Sequence, residues 1–219
     1  MTRLAPLARE RRVRPRRPRR ARLALVLALV ALATPWPAAA RAEAEPPLTP
    51  FRADEWDVQQ GEWRFEPAGE ARSLGRGRSA LLYHRTARPR DLDFTAEVMF
   101  LGPESSAGIV FRAAGPTYAE ATFYQLEWYT RGSHHDRRLS LMVKNPRWKQ
   151  IVVPVYPEAP YERWIALRVR ARGDLLECFV DGRLVFTKRD RTYLRPGRLG
   201  LHVWQPRAVR FRGFRLSEP

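Results

Sequence analysis

The chain has 219 residues, 44% hydrophobic and 11% aromatic, which is enough apolar surface for a packed domain and excludes global disorder. Its single cysteine, Cys178, excludes an intrachain disulfide framework. The formal charge is +17, but residues 1–42 carry 11 arginines against one acid (net +10) and the other 177 residues carry 29 bases against 22 acids (net +7). The excess is concentrated at the start of the chain, so it does not describe a uniformly basic surface built for nucleic acid.

That opening stretch reads as an address. Residues 9–22 are arginine-rich and broken by Pro15 and Pro18, residues 23–33 are an uncharged Leu/Ala/Val run, and Pro35, Pro37 and Ala38-Ala39-Ala40 follow. A basic region, a short apolar region and an A-x-A site are the order of a secretory signal peptide. Cleavage is expected after Ala40 or Ala42. The apolar run is roughly half of the ~20 residues that span a bilayer, so no stable membrane span is expected after processing. Arg19-Arg20 leaves general and twin-arginine export both open. The expected organisation is a signal peptide over 1–42, a Pro- and Glu-rich flexible leader over 43–55 and one domain over 56–217. The expected location is periplasmic or extracellular.

From Trp56 onward no helical period persists, and period-2 alternation recurs instead. In residues 92–100, Leu92, Phe94, Ala96, Val98 and Phe100 alternate with Asp93, Thr95, Glu97 and Met99. Further strands are predicted over 106–112, 122–129, 139–144, 151–155, 164–170, 175–180, 183–187, 199–204 and 209–216. Pro154 marks an edge or bulge within its run. Asp181-Gly182 between two apolar runs predicts a tight hairpin, because a type I′ turn needs positive φ at both central residues. In the last strand Val209 and Phe211 share a face, and Phe214 and Leu216 rejoin it only if Gly213 is a bulge. About a dozen short strands without helices predict an all-β fold of two antiparallel sheets, a sandwich in preference to a barrel.

Several chemical motifs have plain readings. Cys178 alternates with Leu176 and Val180, which predicts packing rather than reactivity. Arg172-Gly173-Asp174 is read as a hairpin turn. His134-His135-Asp136 is read as a polar rim loop, since adjacent side chains on an extended loop diverge and metal sites want three convergent ligands. No metal site or cofactor is predicted. No acidic cluster identifies a structural calcium, which would need 6–8 oxygens, and that question stays open. Arg207, Arg210, Arg212 and Arg215 form a basic stretch, but acids intersperse the mature chain and no nucleic-acid partner is expected. A monomer is expected.

The pieces Asp93-Phe94, the run from Ser106 to Arg112, Tyr124-Gln125-Leu126-Glu127 and Val180-Asp181-Gly182-Arg183 come in a definite order. They are followed by the runs from Gly197 to His202 and from Val209 to Leu216. This order resembles the 3-keto-disaccharide hydrolase family over roughly 56–216. The resemblance implies a concanavalin A-like jelly-roll β-sandwich, the fold shared with laminin G-like domains and family 16 glycoside hydrolases. The chain lacks the E-x-D-x-x-E pattern of family 16: Glu55-Trp56-Asp57 has its next acid at Glu62, out of step. Two-carboxylate retaining chemistry of that type is therefore not expected. Ala107 and Gly213-Phe214 also stand where similar sequences often read Ser-Gly and Asn-Ile.

Alternation assembles one polar face. With Ile109, Phe111, Tyr124, Leu126, Leu141, Val143, Leu201 and Val203 inward, the side chains of Arg112, Gln125, Glu127, Tyr129, Lys144, His202 and Trp204 point away from the core. Flat aromatic rings suit sugar C–H faces, and Arg and Glu suit adjacent hydroxyls. The leading reading is a carbohydrate-binding face made of these residues. Its rival is an enzyme, as the resemblance implies: a hydrolase of 3-keto-glycosides with Glu127 or His202 as base and Arg112 or Lys144 as oxyanion stabiliser. A structural surface module is a third reading. If the face assignment holds, Arg112→Lys weakens binding and leaves thermal stability nearly unchanged.

Overall fold

A computed structural model describes residues 47–131, 139–145, 147–152, 154, 156–204 and 209–219. The expected signal peptide, the start of the leader, the His134-His135-Asp136 motif and Arg207 lie outside the described residues. The alternating stretches form strands β1 (Trp56–Gln60), β2 (Trp63–Glu66), β3 (Glu70–Ser73), β4 (Ser79–His84) and β5 (Leu92–Phe100). They continue as β6 (Ser106–Ala114), β7 (Thr122–Tyr129), β8 (Leu139–Asn145), β9 (Arg147–Val152) and β10 (Ile165–Arg172). The last are β11 (Leu175–Val180), β12 (Arg183–Arg189), β13 (Arg198–Trp204) and β14 (Val209–Ser217). No helix among the described residues is long and apolar enough to cross a membrane.

The strands form two antiparallel sheets of seven, ordered β1-β4-β13-β6-β7-β8-β9 and β12-β11-β10-β5-β14-β3-β2. Inward residues of both meet in one core that includes Phe94, Phe100, Ile109, Phe111, Leu126, Val169 and Phe211. The expected β-sandwich is thus the fold observed. At Gly213 (φ 59°) the register of β14 against β5 shifts by one residue, and Phe214 returns to the core side. Its ring then lies 5.2 Å from Trp56 and 5.3 Å from Phe51. A bulge there was the condition for Phe214 to rejoin the face of Phe211, and it is met.

Three details depart from the alternation reading. Residues 49–55 were expected in a flexible leader, yet Thr49 exchanges both backbone hydrogen bonds with Phe214 (2.7 and 2.8 Å) and Phe51 is buried. The apolar ring of Phe51 draws this segment into the domain. The strand expected at 151–155 lies earlier, at Arg147–Val152, paired with β8 and ending before Pro154, which has no N–H for a ladder. Strands β1 to β4 were not individually legible. β4, for one, is buried on both faces, Ala80 and Leu82 in the main core and Leu81 and Tyr83 in a second cluster, so it has no alternation to read.

That second cluster occupies the outer face of the first sheet. It joins Leu81, Tyr83, Val110, Ala113, Ala121 and Phe123, with Tyr118 packed against it. The first sheet is strongly curled. Trp148 on β9 and His202 on β13 are four strands apart in the order, roughly 19 Å along a flat sheet, yet their rings are 6.1 Å apart. An extra residue in β6 between Val110 and Ala114, which shifts the register against both β13 and β7, and one in β9 between Gln150 and Val152, opposite β8, are the bulges that bend it. At the floor of the curl, β6 and β7 approach closely at Gly108, where a Cβ would fall 1.8 Å from the Leu126 carbonyl oxygen. Only glycine fits between these strands.

Candidate functional site

The period-2 rule puts Gln125, Glu127 and Tyr129 on the hollow face of β7, opposite Met142 and Ser140 of β8 and next to His202 of β13. β9 adds Trp148 opposite Lys144 and Gln150 opposite Met142. Two covers fall over this face. The loop between β6 and β7 brings Tyr118 down onto His202, the rings nearly parallel at 13° and 5.6 Å apart. From the other side Trp148 leans in, its ring 5.4 Å from Phe123. What remains is a recess of about 440 Å³ lined by Glu127, Tyr129, Met142, Trp148, Gln150, His202 and Trp204. Its walls are aromatic and its floor is polar and buried.

Glu127 is the centre of that floor. Ser106 Oγ donates to its Oε1, and Tyr129 Oη donates to its Oε2 at 2.7 Å. Burial nevertheless dominates and pushes the carboxyl up to about 7, with those two donors and Gln125 acting against the shift. His202 Nδ1 lies 3.9 Å from Glu127 Oε1. Gln125 Nε2 donates to that Nδ1 at 2.8 Å, which leaves the Nε2–H of His202 to meet Tyr118 Oη at 3.2 Å. Burial, reinforced by the Lys144 charge, holds the imidazole down at about 3. At neutral pH the floor therefore carries a neutral imidazole with both nitrogens engaged, beside a carboxyl that exchanges its proton near neutrality.

The seven residues expected on one face divide. Glu127, Tyr129, His202 and Trp204 line the recess, and Gln125 lies beneath it, bonded to His202. Lys144 is on the right face but is spent on the cover. Its Nζ donates to the carbonyls of Ala119 (2.9 Å) and Ala121 (2.8 Å) and sits 5.3 Å over the Tyr118 ring.

Arg112 is elsewhere, which corrects the expected gathering. It sits in the β6 bulge with φ 51°, so its side chain leaves the alternation. Its Nε donates to Arg90 O (2.9 Å), Nη1 to Tyr193 O (2.9 Å) and Nη2 to Asp91 (3.2 Å), and the side chain is 0% exposed. Sequence reasoning put Met142 on the outward face without counting it in the site, and it missed Trp148 and Gln150 in the wall and Tyr118 in the cover. Trp148 and Gln150 alternate in the sequence, but they precede the run that was read as the strand. Tyr118 comes from a loop, which carries no periodicity.

An antiparallel two-sheet sandwich with an aromatic-walled, polar-floored recess on one curled sheet defines the class of this protein. Residues 49–217 match the 3-keto-alpha-glucoside-1,2-lyase-like domain, and the chain belongs to that 3-keto-disaccharide hydrolase family. No curated protein matches it. Among solved structures it is similar to a carbohydrate-binding module from Bacillus subtilis, at 18% identity and a TM-score of 0.64 over 77% of this chain and 100% of the other. A galectin-like protein of unknown function from Bacillus subtilis gives 13% identity and a TM-score of 0.62, over 75% and 90% of the two chains. Bacillus licheniformis beta-glucanase gives 10% identity and a TM-score of 0.54, over 77% and 94%. At these identities the likeness is one of fold.

Proposed function

We propose that this chain is an exported domain that recognises carbohydrate, with the recess over Glu127 as its site. The observation that carries the reading is the juxtaposition of Trp148 and Trp204 with Glu127, His202 and Gln150 in one recess. Indole faces suit the C–H faces of a sugar ring, and the buried carboxyl and the exposed Gln150 amide suit its hydroxyls. Calorimetric titration with mono- and disaccharides, including 3-keto forms, tests it. Trp148→Ala and Trp204→Ala should each weaken binding by roughly 1–2 kcal/mol, or about tenfold in Kd. Melting should barely change for Trp148→Ala, since that ring is 40% exposed. Unaltered affinity in both variants would remove the recess as the site. Export rests on the order of basic, apolar and small residues in 1–42. N-terminal sequencing of exported protein should begin at Arg41 or Glu43, and material still carrying Met1 would overturn it.

A second reading, cleavage of a 3-keto-glycoside, is favoured by one observation, the carboxyl of Glu127 at about 7. A carbonyl at C3 acidifies the C2 hydrogen. A base takes that proton as the C1–O bond breaks, the aglycone leaves with the bonding pair, and water then adds to the unsaturated ring. A base poised near neutral pH suits that first step. Glu127 suits it better than His202, whose ring nitrogens are both engaged. Arg112 and Lys144, weighed as oxyanion stabilisers, are both committed to backbone carbonyls. Turnover of a 3-keto-disaccharide, lost in Glu127→Gln with binding retained, separates this reading from recognition alone.

A further inference from the structure

On the same sheet, away from the recess, three arginines gather about one carboxylate. Asp57 on β1, Tyr83 on β4 and Gly200 on β13 lie in one cross-strand row. Arg85, just past β4, donates from Nε to Asp57 Oδ1 at 3.0 Å. Arg198 on β13 reaches Asp57 Oδ2 from Nη2 at 3.4 Å. Gly200 offers no side chain beside Tyr83, and the Arg198 guanidinium lies over the Tyr83 ring at 4.4 Å. Arg88, from the turn after β4, donates from Nη1 to the carbonyls of His84 (3.2 Å) and Ala87 (2.9 Å). Among the described residues Arg88 has no ion-pair partner. Burial and the Arg198 charge both push its pKa down, while Asp57 raises it.

The group is therefore two charges in excess, three guanidinium ions against Asp57, and most of its donors are unspent. Each guanidinium offers five N–H donors in a planar fork. Arg198 in particular has a side chain only 18% exposed and a buried Nε with no hydrogen-bond partner. Like charges held together on a partly desolvated surface repel, and an oxyanion between them relieves that repulsion while accepting the idle donors. The recess is a separate place. Arg198 and His202 are four residues apart on one strand face, about 13 Å, and Tyr118 stands on His202.

We propose that Arg85, Arg88 and Arg198 form an oxyanion-binding site that takes a carboxylate or sulfate group of a ligand, with Asp57 holding two of the forks in place. This site goes beyond the sugar recess and does not depend on it.

The test is calorimetric titration of the full chain, at constant ionic strength to keep screening fixed, with sodium sulfate, sodium glucuronate and uncharged glucose. Saturable binding of sulfate or glucuronate is expected, weakened about tenfold in both Arg88→Gln and Arg198→Gln. Sulfate alone assigns a tetrahedral ligand group; glucuronate, with or without sulfate, assigns a carboxylate. Trp148→Ala should leave this binding unchanged, so failure of the recess reading and failure of this one are distinguishable. Melting curves identify a variant that fails to fold. Should Arg198→Gln do so, Arg88→Gln decides alone, since it lies on an exposed turn. No saturation by either anion, or wild-type affinity in Arg88→Gln, overturns the proposal. So does anion binding that glucose abolishes by competition.

Discussion

Arg112→Lys should lower the melting temperature by about 5–10 °C, a loss of roughly 2–3 kcal/mol in a domain of this size. The side chain is fully covered and spans three acceptors on two loops, Arg90 O and Asp91 on one side and Tyr193 O on the other. A lysine ammonium is a point donor on a flexible stem and cannot reproduce that fork, so at least one buried carbonyl loses its partner. Arg112→Leu should cost more, about 3–5 kcal/mol, because it also leaves Asp91 without its cation. Asp91 is 43% exposed, so water softens that part of the loss. Sugar binding at the recess should survive in whatever fraction stays folded. Thermal denaturation of both variants measures the effect. An unchanged melting temperature for Arg112→Lys would return Arg112 to the open face.

The second large effect is a pair of opposed pH dependences. Burial raises Glu127 from 4.5 to about 7, so it contributes stability that is fully present below 4.5 and is lost as pH rises toward 7. Burial lowers His202 from 6.5 to about 3, so its contribution is fully present above 6.5 and is lost as pH falls toward 3. Between 4.5 and 6.5 the two slopes oppose each other. Single substitutions should uncover each one. The stability difference between wild type and Glu127→Gln should fall with rising pH from 4.5 to about 7, at up to about 1.4 kcal/mol per pH unit. The difference between wild type and His202→Gln should rise with pH from about 3 to 6.5. His84, also lowered by burial, is common to all three proteins and cancels. Urea denaturation at a series of pH values reads both slopes. Difference curves that are flat across these windows would mean that the floor is open to water.

The strands from β5 onward were largely legible in the sequence. Residues 92–100, 122–129 and 175–180 were read with the boundaries observed, because each strand has one face in the core and alternation reports that directly. The Gly213 bulge was legible for the same reason: the apolar phase breaks there and resumes. Strands β1 to β4 were not. They are short, and β4 is buried on both sides, so no period-2 signal survives. Of the candidate site, Gln125, Glu127, Tyr129, His202 and Trp204 came from alternation alone. That rule could not say that most of them would be buried.

What the sequence determined by itself is the all-β character, the sandwich and the side of each long strand that faces the core. These depend on the order of apolar and polar residues along a pleated chain, a purely local property. Only the tertiary structure decided which residues cover the hollow face and which leave it. Tyr118 and Trp148 reach the floor because bulges curl the sheet and bring β9 toward β13, and no local pattern encodes that approach. Arg112 departs because a residue at φ 51° in a bulge no longer obeys the two-residue period, and its guanidinium finds three acceptors on loops distant in sequence. The carboxyl of Glu127 is poised near neutrality for the same kind of reason: its acidity depends on how much water the covering side chains exclude, and that is settled only when the sheet has closed over it.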